Sequence, residues 1–355
     1  MIEDDLRAAF ARHEPLAPPA GPVRAAIARL VAVRRRRRRR LRAGGAALAL
    51  LALLGVGIPQ FTPDRVAEDA TLLTEPGRRA PTGALNVLLL GVDSRGDQVP
   101  PLADSVLLVH IPADRGRPFL VSLPRDLEVA IPGHGRDKLN AAAAYGARVD
   151  GGLDLVRGYE LTRRTVTDLT GVRVDAGAVI TYPVLRQLTD LLSGVEVCVP
   201  QRIRSSHTDR VFPAGCQHLD GRASVDLLRQ RRDLPDSGFD RDRNAQRFAA
   251  GLIRRAGEQG VLHDPVRLSR IVAEIGPDLS VATTGGSLLD LLQVVPELAS
   301  VEPVGLNLPV AESTKGGHWV LRPDPKAAPV FLAALREDRL AQWTAQHPER
   351  VTRLR

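Results

Sequence analysis

Between Asn86 and Asn140 three apolar segments each lead into charged residues, and this rhythm limits the available folds more than any other stretch. NVLLLGVDSRG (Asn86–Gly96) reads as a strand over Val87–Leu90, followed by a glycine, the carboxylate of Asp93 and then Arg95. ADSVLLVHI (Ala103–Ile111) is a second strand with Asp104 at its head, and FLVSLPRD (Phe119–Asp126) is a third that ends in Pro124-Arg125-Asp126. DKLNAAAAYG (Asp137–Gly146) closes the segment. Short apolar runs bounded by turn residues are strands. Strand ends that bring two acids and several basic groups to one sheet edge make the kind of place where open α/β domains bind ligands.

The rest of the body alternates in the same way. Gly152–Leu169 carries Leu153, Val156, Leu161, Val166 and Leu169 at helical spacing, with Gly171 as a stop. VRVDAGAVI is a strand, Tyr182–Leu192 a helix ended by Gly194, and VEVCV a further strand. Asn140 and Asp220 stand where helix N-caps are expected, before the alanine run and before GRASVDLL. DLEVAIPGHGRD and residues 200–219 read as polar loops. A helix opens at Arg241 and runs to Arg255, and further helical patches occupy Pro265–Ile275, Ser287–Val295 and Ala328–Leu340. Strand-like VGLNLPV (Val304–Val310) separates the last two. The alternation predicts an α/β fold over residues 85–345, a three-layer α-β-α domain with a central mixed sheet.

The net charge of +8 is confined to the N-terminus. Residues 1–42 hold twelve arginines and four acids, whereas residues 43–355 hold 37 basic and 37 acidic residues. Seven arginines, Arg34–Arg40, precede an apolar run from Ala43 to Ile58. Sixteen residues rise ~24 Å as a helix, a little short of the ~30 Å hydrocarbon layer, and Pro59–Thr62 extend the run through the interface. The expectation is a basic cytoplasmic tail (1–42), one transmembrane helix (43–62), a linker (63–84) and an extracellular domain. A cleaved signal peptide would need a shorter lead and a small-residue cleavage site, and a buried soluble helix would not need the arginines. Those arginines read as a topology signal, with anionic lipid or nucleic acid as the alternatives. A neutral body without a helix-turn-helix pattern argues against a nucleic-acid partner.

Cys198 and Cys216 both fall in the part expected outside, where disulfides persist. A bridge between them would stabilise the fold by ~3 kcal/mol. Zinc is the weaker reading, because His207 and His218 lie near at no common zinc spacing. Asp93 and Asp104 could hold one hard cation such as Mg²⁺ together with phosphate oxygens, or serve as ordinary turn and cap residues. Arg95, Arg125, Arg229, Arg231 and Arg241 stand where the chain leaves strands or enters helices. The guanidinium fork matches phosphate oxygens, so a pyrophosphate site is the candidate, against the plainer reading of a solvated basic face.

In that order, NVLLLGVDSR, ADSVLLVHI, LVSLPRD, DKLNAAAAYG, GVEVCVP and LRQRRDLPDSGFDRDRNAQ resemble the LytR-CpsA-Psr family, strongly over Leu85–Gly251. The resemblance implies transfer of a glycopolymer from a polyprenyl-pyrophosphate carrier to peptidoglycan, at the membrane, in cell-wall assembly. It implies Mg²⁺ on Asp93 and Asp104 and pyrophosphate on Arg95, Arg125, Arg229, Arg231 and Arg241. Lys138 and Asn140 fall in the family's KIN-like segment and would line the cleft, with Gln246 taking the amide role of the last motif. The sequence departs at Leu102, where the family often has arginine, and at Asn244-Ala245, which stand in place of the RQQ-like motif's first residues. A pyrophosphate hydrolase, or a protein that binds lipid-linked precursors without catalysis, are the alternative functions at the same site.

Overall fold

The computed structural model describes residues 82–93, 99–150, 152–232, 234–261, 264–276, 280–283, 301–315 and 318–355. The expected tail, membrane segment and most of the linker lie outside the described residues, as do Arg95 and the helical patch Ser287–Val295. Among the described residues no helix is long and apolar enough to cross a membrane.

Among the described residues seven strands form the central sheet, in the order β13-β8-β1-β2-β3-β14-β17. The strands are β1 (Leu85–Val92), β2 (Ala103–Ile111), β3 (Phe119–Ser122), β8 (Ala176–Thr181), β13 (Ser280–Thr283), β14 (Val304–Asn307) and β17 (Val351–Thr352). β2 pairs antiparallel with β1 on one side and β3 on the other, while β8 joins β1 and β14 joins β3 in parallel, so the sheet is mixed. β17 lies beyond residue 345, where the domain was expected to end, and the sheet therefore uses nearly the whole C-terminus.

Alternation along β1 explains why helices cover both faces. Leu88, Leu90 and Val92 pack with Ala142, Tyr159, Val166 and Phe331, which belong to α1 (Ala141–Ala147), α2 (Leu155–Thr170) and α7 (Ala327–Arg336). Val87 and Leu89 face the other way, toward Ala249, Ala250 and Ile253 of α5 (Gly238–Glu258). Each fully buried leucine stabilises the fold by about 1.5–3 kcal/mol relative to an exposed one. The helices start and stop where side chains demand it. The Asp154 carboxylate accepts from the Val156 and Arg157 amides at the start of α2, and Gly171 ends it at φ 74°. Thr181 caps α3 (Tyr182–Leu191), which places Tyr182 directly at the end of β8.

At Gly177 of β8 the chain has room for no side chain: a Cβ there would lie 2.1 Å from the Leu88 carbonyl oxygen and 2.2 Å from the Tyr159 hydroxyl. Gly177→Ala is therefore expected to lower stability by about 1–3 kcal/mol, seen as a lower urea midpoint at unchanged slope.

Four expectations need correction. The segment read as a glycine-bearing loop is a hairpin, β4 (Glu128–Ile131) paired with β5 (Gly135–Lys138). Val129 and Ile131 alternate into the core, and Gly133 and Gly135 take positive φ at the turn. The small pairs β6 (Arg148–Val149) and β7 (Gly152–Leu153) follow between α1 and α2. Residues 200–219 are not one loop either: β10 (Ile203–Arg204) pairs with β11 (Val211–Phe212), and β12 (Gly215–Leu219) pairs with β9 (Val195–Val199). Cys198 and Cys216 are directly opposed in that last pair and form a disulfide. Asn140 precedes α1 without a capping side-chain hydrogen bond. The helix expected over Ala328–Leu340 breaks into α7 and α8 (Leu340–Gln346) at Asp338, which sits at φ 55°. Its carboxylate accepts hydrogen bonds from buried His110 and from the Ala113 amide, and those bonds hold the break against the sheet.

The remaining described elements are α4 (Gly221–Arg229), α6 (Pro265–Ile275) and the hairpin β15 (Val310–Lys315) with β16 (His318–Pro323).

Candidate functional site

The site begins with an irregularity in the sheet. Along β1 and β2 the pairing runs to Gly91 opposite Ser105, then jumps to Val92 opposite Ala103. Asp104 is the residue left over, a β-bulge at the end of the pair. Bulges re-aim a side chain and recur beside functional sites. Asp93 follows Val92 directly, so both carboxylates belong to one corner of the sheet.

Basic groups reach this corner from distant elements. The Arg125 guanidinium donates to the Asp104 carboxylate. Arg241, in the first turn of α5 and 5% exposed, places Nη1 3.7 Å from the same oxygen. Backbone bonds fix the approach of Arg125: the Asn140 amide donates to the Arg125 carbonyl at 3.0 Å, and the Ala103 amide donates to the Asn140 carbonyl at 3.2 Å. Asn140 thus clips the segment after β3 to the head of β2 through its main chain. Lys138 donates to Asp126 at 2.9 Å. Burial alone would raise Asp126, but the Lys138 hydrogen bond and the Arg125 and Lys138 charges hold it below its ordinary value.

Arg229 and Arg231 enter on the other side, at the end of α4 and just beyond it. Gln230 between them is fully buried. Its amide donates to the Asp226 carbonyl at 2.7 Å and to Ser205 Oγ at 3.0 Å, and its carbonyl accepts from the Ser206 amide at 2.8 Å. A buried amide so occupied fixes the backbone on either side of it. Arg229 lies over the Tyr182 ring at 5.5 Å. Arg231 sits at the rim, where partial burial and the charges of Arg125 and Arg241 lower its guanidinium from its ordinary value.

Tyr182 reports how closely these groups meet. Its hydroxyl is pushed up to about 12, first by burial and then by Asp104 and Asp93, with Arg229 and Arg241 opposing. Asp242, buried beside Arg241, is pushed up to about 6 by burial. The Nε of Arg241 is buried without a hydrogen-bond partner. A buried donor left unmade costs about 1–3 kcal/mol, so an anion that accepts from it would recover that.

Of the sequence candidates, the structure brings Asp93, Asp104, Arg125, Arg229, Arg231, Arg241 and Lys138 to one region. Arg95 lies outside the described residues. Gln246 does not line the cleft: it is fully buried and donates to Ser122 Oγ and the Leu306 carbonyl at 2.9 and 2.6 Å, joining β3 to β14. Asn244 is also buried and accepts from Arg247, and Leu102 is exposed. Sequence reading missed Tyr182, Gln230, Asp126 and Asp242. The last three sit beside residues it did choose, and Tyr182 was visible only as the start of a helix.

Asp93 and Asp104 offer hard oxygen donors suited to Mg²⁺, although the guanidinium groups compete for one oxygen of Asp104. Among the described residues the one cluster of three metal-ligating side chains is Glu196, Cys198 and Cys216, and the disulfide removes both thiols from it.

Residues 64–337 match the LytR_cpsA_psr family. "Probable cell wall biosynthesis protein LcpB" of Corynebacterium glutamicum is 33% identical over 213 residues, covering 56% of this chain and 48% of the relative. The chain thus spans about half the length of that relative. "Polyisoprenyl-teichoic acid--peptidoglycan teichoic acid transferase TagT" of Bacillus subtilis is 27% identical over 242 residues, covering 65% of this chain and 69% of TagT. The solved structure "TagT bound to LI-WTA" superposes with a TM-score of 0.58 at 23% identity, over 74% of this chain and 93% of that one, which shows a shared fold.

Proposed function

The chain belongs to the LytR-CpsA-Psr family, and on that premise we propose that it transfers a glycopolymer from a polyprenyl-pyrophosphate carrier to peptidoglycan. The observation that carries this is convergence: Arg125 and Arg241 meet on Asp104, while Arg229 and both acids act on Tyr182. Guanidinium groups gathered from residues over a hundred apart around two acids suit a diphosphate. The relatives named as teichoic acid transferases and cell wall biosynthesis proteins support the same reading.

In this reading the diphosphate lies among Arg125, Arg231 and Arg241, with Arg95 in the same set. Arg229, braced on the Tyr182 ring, faces the charge that builds on the phosphoryl oxygens. Mg²⁺ held by Asp93 and Asp104 would neutralise diphosphate charge when bound. A sugar hydroxyl of peptidoglycan attacks the phosphorus that bears the glycan, and its proton passes to a carboxylate at the corner, with Asp93 the candidate. The bond from that phosphorus to the bridging oxygen breaks, and polyprenyl phosphate leaves. The product is a phosphodiester.

The cluster stands at the ends of the interior strands β1 and β2, and in this reading the carrier's lipid lies in an apolar channel between the sheet and the helices of a three-layer α-β-α domain. Residues 43–62 anchor the chain with 1–42 in the cytoplasm and the domain outside. The arginine run beside the apolar segment and the disulfide support that placement.

The test is transfer by the full-length protein in detergent, from a lipid-linked diphosphoryl glycan to peptidoglycan. Asp93→Ala and Arg229→Ala should each lose about 10²-fold or more in rate. Transfer undiminished in both variants would sink the proposal, and phosphate release without acceptor at the rate of transfer would make the protein a hydrolase.

A further inference from the structure

We propose that Trp319 is a stacking platform for the pyranose ring joined directly to the substrate's diphosphate, an inference that rests on the function proposed above.

The chain is poor in aromatic residues, at 3%, and has two tryptophans. Trp343 is in the core at 5% exposure, packed edge-on against Phe331. Trp319 is 45% exposed. An indole left in water in so aromatic-poor a chain is an outlier, because burying it elsewhere would stabilise the fold.

Its place is fixed relative to the site. Trp319 lies on β16, and the next two residues, Val320 and Leu321, are buried. The Leu321 amide donates to the Asp126 carbonyl at 3.1 Å, and Leu321 bridges to Leu127 in parallel. Arg322 donates to Glu128 at 2.9 Å. The strand that carries the ring is therefore stitched to the segment that carries Arg125 and Asp126. Lys138 spans the remaining gap, with its ammonium 2.9 Å from Asp126 and 5.8 Å from the centre of the Trp319 ring.

A flat π-face beside a phosphate-binding cluster suits a sugar more than a lipid or a peptide. The C–H bonds on one face of a pyranose carry partial positive charge and pack on the negative face of an indole. The Lys138 ammonium, already held over the ring, is placed to donate to a sugar hydroxyl or to the first phosphate. The carrier's lipid would need a covered apolar groove, which an exposed strand with a single aromatic does not provide.

The test compares two water-dispersed probes on the full-length protein in detergent: a short-chain prenyl diphosphate, and the same diphosphate bearing one N-acetylhexosamine. Trp319→Ala should weaken the sugar-bearing probe about tenfold, equivalent to 1.4 kcal/mol, and leave the bare diphosphate unchanged. Trp319→Phe should retain most of the difference, and its thermal midpoint should confirm an intact fold. Equal affinity of native and Trp319→Ala protein for the sugar-bearing probe would overturn the inference. So would equal losses for both probes, or an effect confined to the apparent KM for the peptidoglycan acceptor. Arg125→Ala separates the two levels of argument: it should weaken both probes alike. If the native protein binds neither probe, the proposed function itself fails.

Discussion

Asp104→Ala is expected to cut glycan transfer by about 10²–10³-fold while lowering unfolding stability by only ~1 kcal/mol. The asymmetry follows from where the carboxylate sits. It receives the Arg125 guanidinium and lies 3.7 Å from Arg241, so it sets the spacing of two cations. Yet its side chain is 24% exposed, and water can solvate what the deletion leaves behind. Transfer rates and urea unfolding on the same preparations check this. Stability lost in proportion to activity would show Asp104 to be structural only. Asp104→Asn would separate charge from shape: an amide keeps the size and cannot compensate two guanidinium groups.

Arg241→Met should have the larger effect on folding, a loss of about 3–5 kcal/mol at pH 8. Arg241 lies 3.6 Å from Asp242, and both are buried. Removing the cation leaves the carboxylate buried without the charge that offsets its desolvation. The pH dependence gives an independent check. Burial already raises Asp242 to about 6, above its ordinary carboxylate value. The folded state therefore holds its proton at pH values where the unfolded state has released it. This group's contribution to stability falls as pH rises from near 4 to about 6 and is level above that. Without Arg241 the folded value rises further, and the falling window extends upward. The variant should recover part of its lost stability between pH 8 and pH 5, and Arg241→Met combined with Asp242→Leu should recover most of it at both. Unfolding midpoints that are flat across that range in the single variant would contradict the assignment.

The strands and most of the helices were legible because their signals are local. Asp154, Thr181 and Asp220 cap helices with their own side chains, and Gly171 ends one through its positive φ. The disulfide was legible because the chain has two cysteines. What escaped depends on partners distant in sequence. Glu128–Ile131 alternates as a strand should, but it is too short to stand out from the glycines that follow, and only pairing with β5 makes it one. Asp104 could be chosen from sequence, but not the bulge that turns it toward Arg241, because a register jump exists only between two strands. The family resemblance puts Gln246 in the cleft, as the amide of the last motif, five residues after Arg241 on the same helix. Five residues along a helix is well over one turn, and at that displacement it faces the sheet, where its amide binds Ser122 and Leu306. Tyr182 carries no charge that a pattern could flag, and it matters because β8 ends beside both acids.

The surplus residue in β2 also says something about how easily this chemistry could be lost. Excising position 104 would let Ala103 and Ser105 fall into continuous pairing with β1, giving a straighter ladder that keeps Asp93 and lacks the carboxylate that Arg125 and Arg241 meet on. The scaffold would survive such an event. A relative with one residue fewer at this point should thus be sought among well-folded proteins that no longer transfer anything.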